Sequence, residues 1–158
     1  MEFDPHLGDC GFSLRLPKTP QYGDEIAIKG VLRNDAERFS INLCLDRPDS
    51  CDPNAVPEWI AYHFGLDFSE GGDSCKVAQC SKNVGWIEPL IVEDDAFNGR
   101  TVNIIVRLDE DSIKVFHEDT QHAPDYEFGH QFPIEQICII ELRDGIDRVE
   151  EIRLKYSA

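Results

Sequence analysis

Basic residues are scarce in this chain. Lys and Arg number 15 against 31 Asp and Glu, for a formal net charge of -16. A field of that sign repels phosphate backbones, anionic lipid, and sulfated or sialylated ligands within a Debye length, so nucleic acid is excluded as a partner. An apolar run of the ~20 residues that span a bilayer is also missing, so no membrane insertion is expected. The start, Met1-Glu2-Phe3-Asp4-Pro5-His6, has neither the basic nor the apolar region of a signal peptide. A cytoplasmic location is therefore expected, with an extracellular role left to a route that needs no signal peptide. The six cysteines form no Cys-x-x-Cys pair, and the closest, Cys75 and Cys80, have no neighbouring histidine. That argues against structural zinc and for reduced thiols in a reducing compartment. Gly-x-Ser-x-Gly, Walker and His-Glu-x-x-His motifs are all absent, and no cofactor or enzymatic activity is expected. Long segments of helical period are absent too.

What remains is a succession of short alternating runs separated by turn signals. In the stretch 59–68, strand periodicity puts Ile60, Tyr62, Phe64, Leu66 and Phe68 on one apolar face. Trp59, Ala61, His63, Gly65 and Asp67 fall on the other. The first set is a core face; the second is too polar for one and faces water or a ligand. Residues 38–45 alternate likewise, with Phe39, Ile41, Leu43 and Leu45 opposite Arg38, Ser40, Asn42 and Cys44. Residues 48–57 form a polar loop. Residues 86–92 read as a strand that lies at an edge or that Pro89 bulges or interrupts, since proline cannot donate to a ladder. Residues 101–108 and 112–116 flank Asp109-Glu110-Asp111 as a hairpin, and Asp144-Gly145 separates the last two strands. The run 134–142 fits a helix or a strand by periodicity alone. Around ten strands with such regular turns predict an antiparallel sandwich or jelly roll, and the length suits a single domain over 1–158.

Several of these segments resemble the galectins, a family of galactoside-binding lectins. Arg38-Phe39-Ser40-Ile41-Asn42-Leu43 is similar to their third-strand signature, and the stretch 60–68 to their His-Phe-Asn-Pro-Arg-Phe strand. Gly85-Trp86-Ile87-Glu88 resembles Gly-x-Trp-Gly-x-Glu, and Ala96-Phe97-Asn98-Gly99 approximates Pro-Phe-x-x-Gly. Residues 126–133 are similar to Glu-Phe-x-His-Arg-x-Pro, and Leu142-Arg143-Asp144-Gly145-Ile146 to the closing turn. Order and spacing hold from about 11 to 154. The resemblance implies an all-β, two-sheet, concanavalin A-like jelly-roll sandwich that holds β-galactosides or related glycoconjugates on one concave sheet. It also leaves room for a homodimer.

Matched residue by residue, the sugar site departs from the family. His63 and Trp86 match. Gly65 replaces an asparagine, and Asp67 an arginine. Counting back from Trp86 puts Gln79 at the second asparagine; matching by neighbouring residue type puts Cys80 there. Glu88 falls one residue early for the glutamate, and Leu90 or Ile91 takes the second arginine's place. The implied carbohydrate-binding set is thus His63, Gln79, Trp86, Glu88 and Asp67. An indole can stack under the C–H face of a sugar ring, and imidazole, amide and carboxylate can bond hydroxyls. The expected function is binding of neutral glycans with weakened or altered specificity. The alternative is a galectin-fold protein-interaction module that has lost sugar binding, because fold does not fix function. Two further readings carry less: a glycosidase on paired carboxylates, and a Ca²⁺ site on Asp46, Asp49, Asp52 and Asn54, which lacks the spacing of a calcium loop.

Overall fold

The computed structural model describes all residues except 1–6, 49–51, 53, 69–74, 95–96, 98–99 and 158. These form twelve strands: β1 Cys10–Arg15, β2 Glu25–Leu32, β3 Arg38–Leu45, β4 Trp59–Asp67, β5 Cys75–Asn83, β6 Gly85–Trp86, β7 Leu90–Asp94, β8 Thr101–Leu108, β9 Ile113–His117, β10 Tyr126–Phe128, β11 Ile137–Arg143 and β12 Ile146–Lys155. All paired strands are antiparallel. One sheet runs β1-β11-β3-β4-β5-β6, with β7 also on β5; the other runs β10-β9-β8-β2-β12. The expected two-sheet sandwich is the structure found.

The core lies between the sheets. Phe39, Ile41 and Leu43 of β3, Tyr62, Phe64 and Leu66 of β4, and Ile28, Ile104 and Val106 from the opposite sheet meet there. Phe64 holds the aromatic centre, with ring centroids 5.4 Å from Tyr126 and 6.0 Å from Phe97. Phe97 is the described part of the motif at 96–99, so that motif contributes packing.

One detail differs from the strand periodicity, and two readings that the sequence left open are decided. First, Cys44 pairs with Ile60 while Leu43 pairs with Tyr62, leaving Ala61 as the extra residue of a β-bulge. A bulge reverses facing, so Ile60 joins Cys44 and Ile139 on the outer face of its sheet, and Ala61 enters the core. Second, the run 134–142 is mostly strand: a 3₁₀ turn, Ile134–Gln136, precedes β11. Third, Pro89 does interrupt its segment, separating β6 from β7. At the last turn Asp144 and Gly145 both take positive φ, 62° and 25°. A Cβ on Gly145 would stand 2.3 Å from the Arg38 carbonyl oxygen, so glycine is required there. Cys10, Cys44, Cys75, Cys80 and Cys138 are free thiols; Cys51 lies outside the described residues.

Candidate functional site

The outer face of the β1-side sheet is built by register. Asn42 pairs with His63, His63 with Cys80, and Lys82 with Trp86, so these five side chains rise on one side of neighbouring strands. Ile60, displaced by the bulge, sits beside them and beneath half-buried Trp86.

His63 is central, and it is only 3% exposed. Its Nδ1 lies 2.7 Å from Asn42 Oδ1, while Asn42 Nδ2 donates to Ser40 Oγ at 3.0 Å. With the Asn42 amide nitrogen committed to Ser40, its oxygen must accept, so Nδ1 carries the imidazole proton and Nε2 is left with a lone pair. Burial pushes the ring's pKa down from 6.5 to about 4, so it is neutral through the physiological range. The ring lies over Gly65: a Cβ there would stand 2.7 Å from Nε2. Trp86 closes the other side, with its ring edge-on to the imidazole at a centroid distance of 5.2 Å.

Cys80, opposite His63, is fully buried and its thiol is pushed up to about 12 by burial, so it too is uncharged. Lys82 supplies a cation beside Trp86. Its Nζ lies 5.6 Å from the Trp86 ring centroid and donates to the Pro57 carbonyl at 2.7 Å. Burial lowers its pKa, with Glu58 opposing. The centre of the face is therefore an aromatic plate beside uncharged polar groups, an arrangement suited to a neutral ligand.

The five residues implied by the resemblance separate in space. His63 and Trp86 touch. Asp67 shares their face but stands four positions along β4 from His63, roughly 13 Å at strand rise, beside Arg38 at 3.8 Å. Glu88 is exposed in the break between β6 and β7. Gln79 is a correction. It pairs with Phe64 and so faces the sandwich interior, where Tyr62 Oη donates to its Oε1 and its Nε2 donates to the Glu127 carbonyl at 3.3 Å. One step along β5, Cys80 takes the face position, as neighbouring residue type suggests. The sequence reading missed Asn42 as the group that fixes the His63 tautomer, and Lys82 as the cation over Trp86. The parity of β3 held the signal for Asn42; the β5–β6 turn that brings Lys82 over the Trp86 ring is not readable from parity.

The remaining acidic-loop idea also has a structural answer. Asp46 bonds Arg15 Nη1 at 2.7 Å, Asp52 accepts from the Asn54 amide at 2.9 Å, and Asn54 Oδ1 accepts from the Cys10 amide at 3.2 Å. Asp49 lies outside the described residues. No cluster of three or more metal-binding side chains occurs among the described residues.

Comparison with known proteins agrees with this architecture. No curated protein matches the sequence. Among solved structures, a toad ovary galectin in complex with N-acetylgalactose superposes with a TM-score of 0.72 at 20% identity, over 92% of this chain and 98% of that one. CG-16, a homodimeric agglutinin from chicken liver, gives 0.71 at 22%, over 91% and 98%. Sheep galectin-11, in complex with glycerol, gives 0.69 at 14%, over 95% and 100%. At these identities the likeness establishes the fold. The family model for galactoside-binding lectins matches residues 11–154, a family of carbohydrate-binding lectins and not of enzymes. With nearly the whole chain matched, the protein belongs to the galactoside-binding lectin family.

Proposed function

We propose that the protein binds neutral glycans of the galactoside class on the face formed by Trp86, His63 and Lys82, more weakly and with different selectivity than a member carrying the full polar set. The observation that carries this reading is the contact between half-buried Trp86 and an uncharged imidazole whose Nε2 has no hydrogen-bond partner among the described residues. An indole face takes the C–H side of a sugar, and the lone pair beside it accepts one hydroxyl.

The polar set is thin for a physical reason. Gly65 contributes no side chain, and the imidazole occupies the space above it. Asp67 only accepts, and Arg38 stands beside it. A lost neutral hydrogen bond costs about 0.5–1.5 kcal/mol and a charged one about 1.5–3, so losing two or three lowers affinity by roughly two to four decades. Trp86→Ala should abolish lactose and N-acetyllactosamine binding measured by titration calorimetry. Unchanged binding in that variant would place the ligand elsewhere.

A second reading, a protein-binding module without sugar affinity, draws on the burial of His63 at 3% exposure. It requires no response to any neutral glycan at millimolar concentration.

A further inference from the structure

The open face of the sheet is covered on one side, and the cover has a built anchor. Glu141 pairs with Asn42 and Arg143 with Ser40, so both rise on the same face as His63, yet both are 0% exposed. What buries them is chain. Arg143 donates through Nη1 to the carbonyls of Gly8 at 2.9 Å and Asn54 at 3.3 Å, and through Nη2 to that of Ala55 at 2.8 Å. Its Nε donates to Glu141 Oε1 at 2.9 Å, and Arg47 reaches the other carboxylate oxygen at 2.5 Å.

Of these covering groups, Gly8 comes from the segment before β1, and Arg47, Asn54 and Ala55 come from the connection between β3 and β4. Those strands are antiparallel neighbours, with Cys44 opposite Ile60, and a two-residue turn is enough to close such a hairpin. Residues 46–58 stand there instead. A connection this much longer than its strands require points to a task of its own. Its described residues lie across β3, β11 and β1, a width of about 10–15 Å at ordinary strand spacing.

We propose that this cover, locked by Arg143, is the specificity element of the glycan site. A bound glycan lies over β4, β5 and β6 and ends at β3. Further sugars fit past Trp86 over the sheet edge or along β4 toward Asp67, and none fits toward β11. This inference rests on the proposed glycan site and adds a direction to it. The ligands it selects are short glycans, or glycans that enter by one end and carry no substituent on the residue above Asn42 and His63.

The test compares three probes on the native protein: lactose, lactose extended by one sugar on its galactose ring, and lactose extended on its glucose ring. One extension should bind like lactose, and the other should weaken binding at least tenfold. A variant in which residues 47–57 are replaced by Asn-Gly should recover the disfavoured extension; if it does not fold, Arg47→Gln, which loosens the cover at Glu141, should narrow the gap. Equal binding of both extensions by native protein would overturn the cover's role while leaving the lectin reading intact. Binding of lactose only after the loop is replaced would also overturn it, because the loop would then block the whole site. No binding by either form would refute the glycan site itself, and this inference with it.

Discussion

Replacing His63 with glutamine should remove a specific piece of acid sensitivity from the fold. In the native protein burial holds the imidazole near 4 against an ordinary 6.5. The unfolded chain therefore takes up a proton between these values that the folded chain refuses, so stability rises with pH across that window and is lost as pH falls through it. At 1.36 kcal/mol per unit, the full effect is roughly 3 kcal/mol, and about 2.5 kcal/mol is already lost by pH 4.5. Carboxylates titrate in the same range, but they are common to both proteins and cancel in the comparison. Glutamine is polar, of similar size, and has no proton to gain. Urea denaturation at pH 7.5 and 4.5 gives the four stabilities needed. The native protein should lose about 2–3 kcal/mol more than the variant on acidification, roughly 1 M in midpoint for a slope near 2 kcal/mol/M. Equal acid losses would mean that His63 titrates as a solvated residue, and the buried, tautomer-fixed imidazole would be wrong.

Two other substitutions probe the same strand from its two sides. Phe64→Ala empties the aromatic centre next to Phe97 and Tyr126 and should cost about 3–5 kcal/mol in denaturant unfolding. Gly65→Asn places a Cβ 2.7 Å from His63 Nε2, forcing out a ring that Asn42 and Trp86 hold, and should cost about 1–3 kcal/mol, with the imidazole ¹⁵N pattern showing whether the Nδ1–H tautomer is lost.

The fold was legible because its strands carry one-sided apolar patterns. Tyr62, Phe64 and Leu66 read as core from periodicity alone, and they are core. The bulge at Ala61 was not legible, since an extra residue leaves no mark in an apolar sequence and shows only when two strands are set in register. The same limit applies to Gln79 and Cys80. Each is a polar residue near the expected position, and a shift of one residue on a strand exchanges the two faces. Pairing with Phe64 and His63 decides between them. Burial of Glu141 and Arg143 was hidden for a different reason: strand parity tells which side a residue faces, but not that a distant loop comes back to cover it.

The central claim is that ligand binds at the Trp86–His63 contact. A ¹H–¹⁵N titration with lactose, observing the Trp86 indole N–H and the backbone amides of β4, β5 and β6, tests it most directly. Saturable shifts should appear at the Trp86 indole and around His63, Cys80 and Lys82, with millimolar affinity, and should vanish in Trp86→Ala. Shifts confined to the β2–β8–β9 sheet, or none at tens of millimolar lactose, would contradict it.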